Sequence, residues 1–267
     1  AASKKLANFI IHKVAEYKSR RDFPDANVTS GLSENLTYGE ISPLICWHAG
    51  WRALHDGAGE AEHFLKELVW REFAYHLIHH TPHIVDQNWR VGWENFPWIS
   101  NDCGSILRWK QGRTGVPFVD AAMREMYVTG QMHNRARMIV ASYLTKHMLI
   151  DWRVGRDWFA QCLTDWDPAS NAMGWQWVAG CGPDAAPFFR VFNPVTQAKK
   201  FDPKRAYLDR WIAEGKTTAH RDALSYFDAI PNAWDLSPSD PYPDTPVVGL
   251  KEGRDRALAA YQAKKSD

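Results

Sequence analysis

The sequence predicts an all-α fold, organised as one large helical domain rather than two. Apolar residues recur at intervals of three and four along most of the 267-residue chain, which is the spacing of one helix face. No segment alternates apolar and polar residues for long enough to predict a strand, and no strand–glycine-loop–helix unit occurs. The content of 45% hydrophobic and 24% charged residues is typical of a globular protein and excludes a disordered chain.

Capping residues mark the ends of several predicted helices. Leu6 and Phe9 begin the first periodic run. Ser42 precedes Pro43 as an N-cap precedes a proline at the first helical position, and Gly130 fits a C-cap. The predicted helices cover residues 4–20, 43–56, 60–80, 104–111, 117–130, 133–150, 155–164 and 168–175, pieces of 200–228, and 250–264. The predicted irregular segments are 25–40, most of 82–116, and an extended, proline-rich wrap over 231–248.

Composition restricts the possible functions. Lys and Arg total 32 and Asp and Glu total 31, so any basic surface for nucleic acid has to be local. The chain has no run of 18 apolar residues and no signal-peptide pattern, which predicts no membrane span and a cytoplasmic protein. The four cysteines form no CxxC pair, which predicts reduced and mostly buried thiols: Cys46, Cys103, Cys162 and Cys181. The unusual feature is tryptophan, with 14 residues.

The segment Thr29-Ser30-Gly31-Leu32-Ser33 combines three hydroxyl groups with a glycine. Such a loop can present several O–H and N–H donors to one phosphate or pyrophosphate group. An ordinary helix-capping loop has the same composition, so the residues alone leave both interpretations open.

In two further segments, side chains that can bind a ligand share one face of a predicted helix. Glu67 and Arg71 are four residues apart, which predicts an ion pair on one helix face beside Trp70. This group forms either a surface ion pair over a partly buried tryptophan or the wall of a cleft. Asn134 and Met138 likewise share one helix face, where they can offer an amide and a thioether to a ligand.

Arg135 and Arg137 stand in the first turn of the helix that begins after His133. Cations at a helix N-terminus are unfavourable because they oppose the macrodipole, which suggests a function for the two arginines. Binding of phosphates and simple exposure of the first turn to solvent are equally compatible with the sequence. Asp165 and Asp167 precede another predicted helix. There they either cap the helix or accept hydrogen bonds from N–H and O–H groups of a cofactor, and one of them can pair with Arg137.

The segment from Arg190 to Lys200 is locally basic and contains an aromatic residue. Arg190, Gln197 and Lys199 suit contacts to phosphates, although a solvated face has the same composition. No motif of a hydrolase, metalloprotease or P-loop protein occurs in the chain. The histidines at 76, 79, 80 and 83 are interpreted as a helix end rather than a metal site.

Taken in order, several segments resemble the photolyase/cryptochrome flavoprotein family, and the resemblance covers residues 1–203. It is closest to the photolyases for cyclobutane pyrimidine dimers, and it concerns their C-terminal helical flavin domain. The segments are Tyr17 with Arg21-Asp22-Phe23-Pro24, residues 29–33, 67–73, 112–117 and 120–124, Met132-His133-Asn134-Arg135, Asp151-Trp152-Arg153, Gly174-Trp175-Gln176-Trp177, and residues 190–194. The tail after about residue 230 matches little, so residues 230–267 are expected to be a divergent wrap and helix.

The resemblance implies a U-shaped FAD inside the helical domain, with the chemistry carried by the cofactor. The implied phosphate-binding residues are Tyr17, Thr29, Ser30, Gly31, Leu32 and Ser33. The implied flavin-contacting residues are Arg71, Asn134, Arg137, Asp165, Asp167 and Asn171, with Asn171 beside the flavin N5. The implied electron-relay residues are Trp98, Trp152 and Trp175.

The resemblance also implies a substrate, which is UV-damaged DNA. Five positions match the pocket of the dimer-splitting enzymes: Glu67, Trp70, Asn134, Met138 and Trp177. Enzymes for the (6-4) photoproduct carry histidines at the positions of Asn134 and Met138, because that chemistry needs a proton donor. The implied DNA phosphate contacts are Arg135, Arg190, Gln197 and Lys199.

The resemblance thus implies light-driven dimer repair by a carbon–carbon lyase, expected to be monomeric. Two other functions compete: a cryptochrome-type photoreceptor that signals through a partner, and a helical DNA-binding module without a cofactor. Members of this family begin with a Rossmann-like domain that carries an antenna chromophore, and nothing in this sequence resembles it. We therefore expect the chain to be a fragment, cleaved or engineered, or one piece that associates with a separate N-terminal piece.

Overall fold

The residues described by the computed structural model, 1–99, 102–184 and 189–266, form fourteen α-helices. These are α1 (Ala2–His12), α2 (Tyr17–Arg20), α3 (Ser33–Thr37), α4 (Pro43–His55), α5 (Ala61–His80), α6 (Cys103–Lys110), α7 (Pro117–Thr129), α8 (Asn134–Ser142), α9 (Trp152–Cys162), α10 (Pro168–Ala179), α11 (Pro194–Phe201), α12 (Ala206–Trp211), α13 (Arg221–Ala229) and α14 (Leu250–Ser266). Extended pairing within these ranges is limited to one isolated bridge between Ile99 and Ile150. The all-α prediction is therefore confirmed.

Capping residues set several helix ends as the sequence predicts. The Ser42 hydroxyl accepts a hydrogen bond from the Leu44 N–H at 3.2 Å, and Pro43 follows it at the start of α4. Gly130 ends α7 with a φ of 68°, a conformation that glycine adopts at little cost. The proline-rich segment before α14 contains only one short 3₁₀ turn, Asn232–Trp234.

The prediction of one continuous helix over residues 4–20 is wrong. Lys13 leaves the helical conformation with a φ of −130°, and a 3₁₀ turn (Val14–Glu16) separates α1 from α2. In one straight helix Phe9 and Tyr17 would lie about 12 Å apart along the axis. Their ring centroids are 5.5 Å apart, because both rings pack on Phe64 of α5. Tertiary packing therefore overrides the local pattern.

Two other boundaries also differ from the prediction. Residues 25–40, predicted to be irregular, contain the short helix α3. The predicted helix over 133–150 instead ends at Ser142 and continues as a π-helical turn, Tyr143–His147. Within this turn Lys146 Nζ donates a hydrogen bond to the Ala179 carbonyl at 2.5 Å.

Helix α9 starts three residues earlier than expected, because Asp151 acts as its N-cap. The Asp151 carboxylate accepts a hydrogen bond from the Arg153 N–H at 2.8 Å.

All four cysteines are free thiols. Cys46 and Cys181 are buried as predicted, whereas Cys103 is exposed. Among the described residues, no helix combines the length and the apolar content that a membrane crossing requires.

Two hydrophobic clusters form the interior. The smaller one joins α1, α4 and α5 around Phe9 and Phe64. The larger one gathers α7, α8, α9, α10 and α12 around Trp109, Ile139 and Trp152. Helix α10 also packs against α5, so helices of the two clusters are in contact.

Candidate functional site

A cavity of about 460 Å³ lies between α5, α8, α9 and α10, within the range of ligand pockets. Ten of the predicted site residues line it: Glu67, Trp70, Asn134, Arg137, Met138, Asp165, Asp167, Asn171, Trp175 and Trp177. These ten come from three helices and the segment before α10. The set includes all five positions predicted for the dimer pocket.

Helix α10 forms one wall of the cavity. Its N-cap is Asp167, whose Oδ1 accepts a hydrogen bond from the Ser170 N–H at 2.7 Å, so the predicted capping role is confirmed. The helix then presents Asn171, Trp175 and Val178 at intervals of four and three residues, which places them on one face. Trp175 is buried edge-on against Phe159, with ring centroids 4.9 Å apart.

Helix α8 forms a second wall with Asn134, Arg137, Met138 and Ala141, again on one face. His133 caps this helix, since its Nδ1 accepts the Arg135 N–H at 3.1 Å. Burial lowers the pKa of His133 to about 4, which keeps the ring neutral and able to accept this bond.

A carboxylate on the cavity wall compensates the unfavourable charge in the first turn of α8. Arg137 Nη2 lies 2.9 and 2.8 Å from the two carboxylate oxygens of Asp165. The suggested pairing of Arg137 with one of the two aspartates is therefore confirmed for Asp165. The pair fixes the orientation of both side chains at the edge of the cavity.

The third wall, on α5, corrects one prediction. Glu67 does not pair with Arg71 but with Arg21, which follows α2 and also lines the cavity. Arg71 instead pairs with Glu72 at 2.6 Å and lies over the ring of Tyr75. The approach of α2 to α5 decides this choice of partner, and spacing along α5 cannot reveal it.

The residues predicted to bind the FAD phosphates lie outside the residues that line this cavity. Tyr17 is buried among the rings of Phe9 and Phe64, and burial raises its pKa to about 12. The loop Thr29–Ser33 turns at Gly31, with a φ of 62°, and leads into α3. The Thr37 hydroxyl at the end of α3 donates to the Asp165 carbonyl at 3.3 Å, which connects this loop to the cavity edge.

The three predicted relay tryptophans lie in different surroundings. The indole N–H of Trp152 donates to Asn88 Oδ1 at 2.9 Å in the interior. Trp175 packs on Phe159 and Trp109, and Trp98 packs on Phe96 with ring centroids 4.4 Å apart. Their role as a relay stays a prediction.

The predicted phosphate-contacting residues lie beyond the cavity lining. Arg135 is paired with Asp22 at 2.6 Å and lies over the Phe201 ring, so it already has a carboxylate partner. Arg190 lies near the Phe192 ring, and Gln197 and Lys199 belong to α11. Lys199 is exposed in the last turn of α11, where a cation interacts favourably with the helix dipole.

Sequence reasoning missed several residues that line the cavity. Arg21 belongs to a segment that was recognised, but its role as the partner of Glu67 depends on the fold. Phe159 and Met173 were not singled out, and Gly174 was quoted only within a recognised segment, although its place three residues after Asn171 puts it on the same helix face. No group of three or more His, Cys, Asp or Glu side chains in the described parts of the chain is arranged to hold a metal ion.

Replacing Glu125 with glutamine is expected to stabilise the protein at pH 8. Glu125 on α7 accepts a hydrogen bond from the Tyr207 hydroxyl at 2.5 Å and one from the backbone of His133, next to α8. Burial raises the pKa of this carboxyl to about 7, so its contribution to stability is present at acidic pH and is lost as the pH rises through 7. Glutamine keeps the acceptor without the charge, and we expect a gain of about 1–2 kcal/mol at pH 8 and little change near pH 4.5.

Urea unfolding at both pH values measures this difference. Glu62→Gln is the control, since Glu62 is exposed and its change should have little effect at either pH. A gain for Glu125→Gln that does not depend on pH would contradict the explanation by a buried charge.

The all-helical fold and a cavity lined by carboxylates, an amide and indole rings define a ligand-binding helical domain. Residues 64–263 match the family described as the FAD binding domain of DNA photolyase. The chain is 46% identical over 265 residues to the deoxyribodipyrimidine photo-lyase of Agrobacterium fabrum, covering 98% of this chain and 55% of that protein. It is 42% identical over 270 residues to that of Escherichia coli, with the same coverage of 98% and 55%.

Solved structures give the same result. A bacterial class III photolyase from Agrobacterium tumefaciens superposes with a TM-score of 0.86 at 45% identity, covering 100% of this chain and 56% of that one. A cryptochrome from Synechocystis superposes with a TM-score of 0.83 at 30% identity, covering 97% and 55%. The chain belongs to the DNA photolyase family, and it corresponds to the FAD-binding domain. It spans about 55% of the length of the curated relatives it matches.

The cavity residues fit a flavin on their own chemistry. Asp165 and Asp167 offer acceptors to ring N–H and ribityl O–H groups, and Trp175 and Met138 offer apolar surface to a flat ring. Gly174 lies on the wall in the interior of α10, and a Cβ at this position would meet no atom within 4 Å. Glycine lowers the stability of a helix interior, but at position 174 it leaves open space on the side of α10 where a flavin ring would lie.

Proposed function

We propose that this chain is the catalytic FAD domain of an enzyme that uses light to split cyclobutane pyrimidine dimers in DNA. One observation carries the proposal: all five residues matching the dimer pocket and five of the six matching the flavin contacts line one cavity. A flavin and a dimer held by these residues would share this cavity, because both sets of residues line it. UV-damaged DNA is accordingly the proposed substrate, and FAD the proposed cofactor.

FAD held in this cavity would supply the redox chemistry: in its reduced, light-excited form it would lend the dimer the electron that opens the cyclobutane ring, and it would take that electron back afterwards. Asp165, fixed by Arg137, and Asp167, fixed at the start of α10, hold hydrogen-bonding groups of the cofactor. The Asn171 amide has no acidic proton to give to the flavin N5, which favours the anionic reduced form. Its Nδ2 donates to the Arg156 carbonyl at 3.3 Å, which holds the amide against α9.

The remaining wall residues bind the flipped dimer. The two damaged bases stack and pair poorly, so flipping them out of the DNA double helix costs little free energy. Trp70, about half exposed, and Trp177 pack against its bases. Glu67, oriented by Arg21, and Asn134 hydrogen-bond to the edges of the bases. Neither Asn134 nor Met138 can act as the acid that a (6-4) photoproduct requires.

Phosphate contacts outside the cavity position the DNA. Arg190, Gln197 and Lys199 occupy α11 and the segment before it, and Arg135, which would have to exchange its partner Asp22 for a phosphate, follows Asn134 at the start of α8. These contacts carry no sequence information, which suits an enzyme that must find lesions in any sequence. Their strength should fall with salt concentration as counterions are released.

Illumination of the FAD-loaded chain with a thymine-dimer oligonucleotide tests the proposal. Blue light should restore intact thymines, and a dark control should not.

Trp70→Leu should weaken binding of the damaged DNA about 5- to 150-fold, equivalent to about 1–3 kcal/mol for one stacked base. Trp51→Leu is the matched control, because Trp51 is 47% exposed against 46% for Trp70 but lies on α4 outside the cavity lining.

A photoreceptor of the cryptochrome type is the second candidate, favoured by the similarity to the Synechocystis cryptochrome. Flavin binding without any repair in light, and an equal affinity for damaged and intact DNA, would support it against the proposal. A purified chain that binds DNA but takes up no FAD would overturn both and leave a helical DNA-binding module.

A further inference from the structure

Asp167, on the cavity wall, has both of its carboxylate oxygens bonded within the protein. Its Oδ1 accepts the Ser170 N–H at 2.7 Å, and its Oδ2 accepts the hydroxyl of Tyr75. The residue is 8% exposed and lines the cavity, whereas Tyr75 on α5 is outside the residues described as lining it. The hydrogen bond to Asp167 therefore connects Tyr75 to the cavity wall.

Neighbouring groups hold Tyr75 in its place. The Arg71 guanidinium, one helical turn earlier on α5, lies 4.4 Å from the centre of the Tyr75 ring. Arg71 is fixed in turn by Glu72 at 2.6 Å and by the Leu36 carbonyl at 3.5 Å. Burial, together with the hydrogen bond to Asp167, raises the pKa of the Tyr75 hydroxyl, so it stays protonated and acts as the donor.

We propose that Tyr75 is a positioning residue for the flavin, because it sets the orientation of the Asp167 carboxylate. A carboxylate has about four lone-pair sites, two on each oxygen. The Ser170 N–H and the Tyr75 hydroxyl occupy one on each, which leaves one on each oxygen for N–H or O–H groups of a ligand. This inference rests on the proposed FAD site.

The arrangement also gives a role to Arg71, for which the family resemblance implies a flavin-contacting position. Arg71 lies outside the residues that line the cavity, but it contacts Tyr75, which contacts Asp167. Arg71, Tyr75 and Asp167 thus form a continuous chain from α5 to the cavity wall. The chain gives Arg71 a way to influence the flavin through Tyr75.

The test measures FAD binding by the chain stripped of flavin, through the quenching of flavin fluorescence. Tyr75→Phe removes only the hydroxyl and should raise the Kd for FAD about 5- to 20-fold, roughly the value of one hydrogen bond that a misoriented Asp167 carboxylate no longer makes to the ligand. Tyr38→Phe is the matched control and should leave the Kd unchanged, because Tyr38 is 72% exposed and outside the cavity lining. Each titration is run well below the unfolding midpoint of the variant, so that lost stability does not imitate lost binding.

A double-mutant cycle separates positioning from a general structural effect. Asp167→Ser keeps an N-cap for α10 but removes the second oxygen, which accepts from Tyr75. In that background Tyr75→Phe should change the Kd less than about 2-fold, because its effect passes through Asp167. An equal effect of Tyr75→Phe in both backgrounds, or no effect in the wild-type background, would overturn the inference. Failure of the wild-type chain itself to bind FAD would instead overturn the proposed function.

Discussion

Replacing Arg124 with methionine is expected to lower the free energy of unfolding by about 3–5 kcal/mol, since it leaves a buried carboxylate without its main partner. Arg124 is 0% exposed, and its two terminal nitrogens each lie 2.7 Å from a different oxygen of Glu214. Its Nε donates to the Gly112 carbonyl at 3.1 Å. After the substitution, Glu214 would keep Arg113, at 3.1 Å, and the hydrogen bond from its own backbone N–H. Urea unfolding at pH 7 measures the loss.

The loss in free energy of unfolding caused by Arg124→Met should depend on pH. Burial raises the pKa of Glu214, but the hydrogen bonds and charge of Arg124 outweigh this and hold it below the ordinary value of 4.5. A lowered carboxyl pKa contributes stability above the unfolded-state pKa, and this contribution is lost as the pH falls through the folded-state pKa. The variant should therefore differ most from the wild type at neutral pH, and the two should converge in acid.

An exposed ion pair provides the control for Arg124. Arg210 lies 2.5 Å from Asp222, and its side chain is 55% exposed. Arg210→Met should cost at most about 1 kcal/mol, the usual value of a surface pair. A cost for Arg124→Met of that same size, or a large cost that persists unchanged in acid, would contradict the account of a buried pair.

Local signals in the sequence predicted the helices and the faces that they present. Ser42, Gly130 and Asp167 act at helix ends because capping depends on a few neighbouring residues. Asn134 and Met138 line the same cavity because a spacing of four residues places side chains on one helix face. These parts of the site need no knowledge of the tertiary fold.

Choices of partner between distant segments could not be predicted in this way. Glu67 pairs with Arg21, which is 46 residues away in the chain, instead of Arg71 on its own helix. Arg124 and Glu214 are 90 residues apart, and neither was singled out. The resemblance to photolyases supplied the residues of the cavity, but it did not supply these pairs or the contact between Tyr75 and Asp167. Spacing within one helix determines on which face of the helix a side chain lies. Packing between helices determines which residues that side chain contacts.

Gly155→Ala is expected to destabilise the protein by about 1–3 kcal/mol, although alanine is ordinarily the better helix residue. Gly155 lies in α9, where its Cα faces the buried ring of Trp175. A Cβ at this position would come within 2.0 Å of Trp175 Cη2 and 2.4 Å of Cζ3, so the indole has to move. Since Phe159 and Trp109 pack on other sides of that ring, its displacement disturbs the core as well as the cavity.

Urea unfolding and FAD titration of Gly155→Ala measure the two consequences. The displaced Trp175 should weaken FAD binding, because this ring lines the cavity. Gly174→Ala is the matched control for stability, since Gly174 lies in α10 and a Cβ there would meet no atom within 4 Å. Gly174→Ala should raise stability by about 0.5–1 kcal/mol through helix propensity alone. If Gly155→Ala stabilised the protein by a similar amount, the close contact between α9 and the Trp175 ring would be disproved.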